Sequence, residues 1–139
     1  MRIFIWVDTR RFEVGSPAFF HCFFSTIAYR LEGDAWGSRF PTFMLEFYKG
    51  RLATGHALTA LEELAVISNE LELLPLDDLV WDFDDLDRQP PWEPGIRETL
   101  TCAADCFYTP AGIYLPEVIH DAFALAARTG ADARIERQF

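Results

Sequence analysis

Three cysteines, Cys22, Cys102 and Cys106, are all that the 139 residues contain, and their uneven placement excludes a disulfide framework. Reduced thiols in a cytosol are the expectation. Long apolar runs are also lacking. The longest candidate, residues 17–31, is interrupted by His21, Ser25, Thr26 and Arg30. As a helix it would extend about 22 Å against a hydrocarbon core of about 30 Å, so no membrane span is expected. The first residues read at once as a strand and lack the apolar core and cleavage site of a signal peptide, which points to the cytoplasm. Positive charge is scarce too: 12 Lys and Arg stand against 22 Asp and Glu, a net charge of −10. That balance argues against nucleic acid or anionic lipid as a partner, because phosphate contacts need clustered Lys and Arg. The chain has no Gly-rich phosphate loop, nucleophile elbow, internal repeat or low-complexity linker.

What is present is apolar and aromatic. Half the residues are hydrophobic, with 13 Phe and 4 Trp among them, ample for one core, so a single domain over residues 1–139 is expected and disorder is not. The charge has one address. Residues 62–87 hold Glu62, Glu63, Glu70, Glu72, Asp77, Asp78, Asp82, Asp84, Asp85 and Asp87 with no Lys or Arg, and outside them acidic and basic residues balance at 12 each. The end of this stretch, Val80-Trp81-Asp82-Phe83-Asp84-Asp85-Leu86-Asp87, alternates large apolar residues with acids before Pro90-Pro91-Trp92. Such a surface suits a basic partner.

Along the chain, Ile3 to Val7 reads as a central strand, apolar on both faces. Asp8 to Gly15 is polar and reads as a loop. Ser16 and Pro17 start a helix that runs to about Glu32 and stops at Gly33. Its Phe19, Phe20, Phe23, Phe24, Ile27, Tyr29 and Leu31 surround most of its circumference, so it must be enclosed by its own fold or by a partner. An aromatic turn at Trp36 to Pro41 leads into a short helix over residues 41–48. Residues 55–74 carry the clearest helical period, with Ala57, Ala60, Leu61, Leu64, Ile67, Leu71 and Leu74 on one stripe and Glu62, Glu63 and Glu70 largely off it; Pro75 ends the helix. Leu79 to Phe83 and Cys106 to Thr109 are strand candidates, residues 96–105 are irregular with a helical turn, a last helix runs from Leu115 or Pro116 to Arg128, and Ala133 to Arg137 reads as a charged edge strand. The sum is an α+β fold: a small sheet of three or four strands packed by three or four helices.

No catalytic set emerges. His21 and Cys22 are helix neighbours whose side chains diverge by about 100°, and Cys22 reads as core. Cys102, Cys106 and His120 offer one loose pair where structural zinc sites use two. Residues 82–87 share only their charge with a calcium loop, lacking its Gly and distal Glu. Were Leu79 to Phe83 a strand, Asp82 and Asp84 would point the same way and could share a hard cation, which keeps a small metal-dependent hydrolase as an alternative. A structural subunit whose Phe-rich helix completes a homodimer is another. No resident cofactor is expected.

Ordered landmarks point to a further reading beside these. Gly15-Ser16-Pro17 through Ile27, Trp36-Gly37-Ser38-Arg39-Phe40-Pro41, Ala60-Leu61-Glu62-Glu63-Leu64, Val80-Trp81-Asp82 and Gln89-Pro90-Pro91-Trp92 resemble the motifs of the immunity protein 70 family of bacterial polymorphic-toxin systems, over roughly residues 3–125. The resemblance implies a cytoplasmic, non-enzymatic antidote to a cognate toxin domain, usually encoded next to it. The matching positions are mostly aromatic, Gly and Pro, which suits a scaffold, and Asp84, Asp85 and Asp87 are more acidic than the family's usual run. The expected contact surface comprises Glu62, Glu63, Glu70, Asp82, Asp84, Asp85, Asp87 and Trp92. A nuclease, whose substrate groove is already positive, is the natural target.

Overall fold

The computed structural model describes residues 1–91 and 99–139; Trp92, expected as an exposed anchor, lies outside them. Strand β1 (Arg2–Val7) is central in an antiparallel sheet of order β2-β1-β4-β3, with β2 at Arg10–Gly15, β3 at Arg51–Leu52 and β4 at Ala133–Gln138. Ile3, Ile5 and Val7 point into the core, matched across the sheet by Ile135 opposite Ile5 and Ala133 opposite Val7.

β2 corrects the reading of residues 8–15 as a loop. Val7 pairs with Arg10, so Asp8 and Thr9 alone make the reversal. Asp8 takes the left-handed conformation (φ 54°) that a tight hairpin needs and that Asp tolerates better than most residues. Beyond the turn Phe12 and Val14 face the core and Arg11 and Glu13 face away, an ordinary alternation hidden by its charges.

Helix α1 (Pro17–Thr26) begins as expected: the Ser16 hydroxyl oxygen accepts the Phe19 N–H at 3.2 Å and Pro17 fills the first turn. From Ile27 to Leu31 the helix widens to π geometry, closed by the Glu32 N–H on the Ile27 carbonyl. A second π stretch, Thr42–Phe47, ends with the Tyr48 N–H on the Phe43 carbonyl. Phe20, Phe23, Phe24, Phe43 and Phe47 interlock between them. Helix α1 is thus enclosed by the chain's own residues, one of the two environments its composition demanded.

The turn joining the π stretches is organised by one buried carboxylate. Glu32 accepts the backbone N–H groups of Gly37 (2.9 Å), Arg39 (3.0 Å) and Phe40 (2.9 Å). Gly37 sits at φ 80°, where a Cβ would lie 2.6 Å from Leu45. Gly37→Ala should therefore cost about 1–2 kcal/mol from the left-handed backbone, with any repacking of Leu45 adding to it. Denaturant titration of the two proteins reads this directly, and equal midpoints would contradict it.

Helices α2 (Ala57–Leu71) and α3 (Leu115–Thr129) pack on one another and complete the core. Gly130 ends α3 in the left-handed conformation (φ 74°). Three further expectations need correction. Residues 79–83 form no strand, because α1 side chains take their backbone bonds: the Thr26 hydroxyl oxygen accepts the Val80 N–H at 3.0 Å and that of Ser25 accepts the Phe83 N–H at 2.9 Å. Residues 106–109 make a single bridge, Tyr108 to Tyr114, around a tight turn. β4 lies between β1 and β3 rather than at the sheet edge.

Candidate functional site

Fastening residues 80–83 to α1 delivers the acidic loop to one particular residue, His21. His21 is a polar residue on this Phe-rich helix, half-buried between the loop and Tyr48. Its Nδ1 lies 2.6 Å from the Tyr48 hydroxyl, and its Nε2 lies 3.1 Å from Asp82 Oδ1 and 3.5 Å from Asp84 Oδ2. Trp36 lies nearly parallel to the imidazole (ring centroids 6.3 Å, planes 24° apart) and packs edge-on against Phe83 at 5.3 Å. Trp36 is itself fixed, its indole N–H donating to the Met44 carbonyl at 3.0 Å.

Asp82 folds the loop. Its Oδ1 accepts the Asp84 N–H at 2.9 Å, an Asx turn, and its Oδ2 accepts from Arg88 at 3.2 Å. The backbone continues in turns, Asp85 N–H to the Asp82 carbonyl and Arg88 N–H to the Asp85 carbonyl. Partial burial alone would raise the Asp82 carboxyl, but the bonds from Asp84, Arg88 and His21 together hold it below its ordinary value of 3.8. A depressed folded value means that Asp82 contributes stability above the ordinary carboxylate range and loses it as pH falls through the folded value. Asp82→Asn should accordingly flatten the acid limb of stability below about pH 4, compared by urea unfolding at stepped pH. An unchanged limb would show that Asp82 is not held in this way. Burial, with Asp84 and Asp82 adding to it, raises the Tyr48 phenol above 10.0, so it stays protonated near neutrality.

The family model of immunity protein 70 matches residues 5–135. The chain belongs to the immunity protein 70 family. No curated protein and no solved structure matches it. Three landmarks that carried the resemblance now meet in space: His21 from the first, Trp36 from the second and Asp82 from the fourth. In this immunity protein residues of those three stretches hold the acidic loop in place.

The expected contact residues separate by what they touch. Glu63 caps the second π stretch, accepting the Phe43 N–H at 2.8 Å and the Thr42 N–H at 3.4 Å. Glu70 accepts a two-pronged pair of bonds from the Arg39 guanidinium, one of them at 2.6 Å. Glu62 is exposed on α2. Asp82 is turned inward, whereas Asp84, Asp85 and Asp87 are exposed, and among the described residues no Lys or Arg pairs with any of these three. Beneath the loop a depression of about 220 Å³ is lined by Trp81, Leu86, Arg88, Gln89 and Pro90 together with Tyr29 and Arg30. Leu86 is 51% exposed there, a large apolar side chain between Asp85 and Asp87 in the chain.

Cys22 is buried and its thiol is pushed up to about 12 by burial, with Cys106 adding to the shift. Cys102, Cys106 and His120 do not converge; among the described residues the one group of imidazole, thiol and carboxylate ligand atoms in reach of a common ion is His21, Asp82 and Asp84. No described helix is long and apolar enough to cross a membrane.

Proposed function

We propose that this immunity protein is a non-enzymatic antidote acting in the cytoplasm, and that Asp84, Asp85 and Asp87 seat it on a basic cleft of its cognate toxin domain. The observation that carries the reading is the division of labour within the acidic stretch. Glu63, Glu70 and Asp82 are spent on the protein's own backbone and on Arg39 and Arg88. The three loop carboxylates instead face solvent on a framework fixed from below by His21, Ser25 and Thr26.

Carboxylates held in this way can occupy the positions of substrate phosphates in a nuclease groove, which makes a nuclease the target class that fits best. Complementary charge speeds encounter, while Leu86 and Trp81 supply the apolar contacts that slow dissociation. The contact set we propose also includes Glu62 and Trp92. Co-expression with the toxin domain encoded beside the gene tests the reading: cells survive, and the two proteins co-purify as a stable complex. Survival without a complex, or with a covalently altered toxin, would replace the binding antidote by an enzymatic one.

A further inference from the structure

We propose that His21 Nε2, Asp82 Oδ1 and Asp84 Oδ2 form a binding site for a divalent transition cation of the zinc class. The three ligand atoms lie within 4.8 Å of one another, with the imidazole nitrogen 3.1 Å from one oxygen and 3.5 Å from the other. Ligands about 2.0–2.1 Å from a tetrahedral ion lie about 3.3 Å apart, which the two separations from the imidazole nitrogen match, and the exposed Asp84 side chain can adjust the third.

The support around the ligands is also that of a metal site. An imidazole bound through Nε2 carries its proton on Nδ1 and needs an acceptor for it, and the Tyr48 oxygen stands 2.6 Å away. Asp82 is oriented by Arg88 on its other oxygen and by the Asp84 N–H, and the ring is flanked by Trp36. With the proton on Nδ1, the bare Nε2 lone pair would face two carboxylates, an arrangement that a cation relieves. Without an ion, Nε2 must keep the proton and share it between Asp82 and Asp84.

One nitrogen among the ligands favours zinc, cobalt or nickel over magnesium or calcium, which prefer all-oxygen sites. Three protein ligands leave a fourth position on the solvent side, where the Asp84 side chain is 80% exposed. The bound ion joins the start of the loop to α1 and lowers the local negative charge. This site does not depend on the toxin-binding proposal, since it concerns the isolated chain.

Titration of the chelator-treated full chain with Co²⁺, followed by calorimetry and by the visible band of a tetrahedral site, tests it. One equivalent should bind, Zn²⁺ should displace it, and Mg²⁺ should not. Asp84→Ala, at an exposed position that spares the fold, should weaken binding at least about 10-fold, and Tyr48→Phe should weaken it about 10-fold through loss of the imidazole's acceptor. Cys102→Ser and Cys106→Ser should leave it unchanged. Absence of a band from the folded native chain, or Co²⁺ binding that Asp84→Ala leaves intact, would overturn the site.

Discussion

Asp84, Asp85 and Asp87 changed together to lysine should slow association with the cognate toxin domain by about 100-fold at low ionic strength. At high salt the loss should shrink to about 10-fold or less, because these carboxylates are exposed and exposed charges are screened over about 10 Å at 0.1 M. The loop should keep its shape in the variant. Its first turn depends on the Asp82 carboxylate and the Asp84 backbone N–H, neither of which is altered; what is lost is the 3.3 Å bond from the Asp87 N–H to Asp85 and the 3.5 Å contact of Asp84 with His21. Stopped-flow association at two salt concentrations, beside thermal melts showing both proteins folded, makes the comparison. A reduction of equal size at both salts would mean that shape rather than charge had been changed. Little change at either would remove these residues from the contact.

Phe24→Ala should have the largest effect on stability, about 3–5 kcal/mol. The Phe24 side chain is fully buried and meets five other rings: Phe20, Phe23, Phe43, Phe47 and Tyr48, with Phe43 stacked at 5.0 Å and Tyr48 tilted against it at 4.4 Å. Interlocked rings cannot close over the space one of them leaves, because each is already fixed by its other neighbours. Against a total stability of about 5–15 kcal/mol for a domain, such a loss brings a substantial unfolded fraction within reach. It reaches function as well, since Tyr48 buttresses both Phe24 and His21. Equilibrium unfolding in urea measures it, and a loss below about 1 kcal/mol would show that the ring cluster relaxes freely.

The sequence and the structure agree most closely where a pattern was local. The helix start at Ser16 and Pro17, the stripe of α2 and the span of α3 are each written within a few residues. β2 was obscured because Arg10, Arg11 and Glu13 mask the inward Phe12 and Val14, and its turn uses Asp-Thr in place of the familiar Asn-Gly. The reading of Leu79 to Phe83 as a strand failed because hydroxyls of Ser25 and Thr26, more than 50 residues earlier, replace a partner strand.

The acidic character of the loop was legible, but not the sorting of its members. That Glu63 is a helix cap and Glu70 the partner of Arg39 depends on contacts 20 and 31 residues distant. His21 had one signal that sequence reasoning passed over: an imidazole in a helix otherwise apolar nearly all round requires a polar partner from elsewhere in the fold. Its partners Tyr48 and Asp82 are 27 and 61 residues away, and only the tertiary fold names them.

The central claim is that the loop after Asp82 is the face this immunity protein presents to its toxin. Hydrogen exchange of the chain alone and in complex with the cognate toxin domain tests it most directly. Exchange should slow at the Asp84, Asp85, Asp87 and Arg88 amides and stay unchanged at the outward sheet positions Arg11 and Arg134. Slowing on the sheet face, with the loop amides exchanging as before, would contradict it.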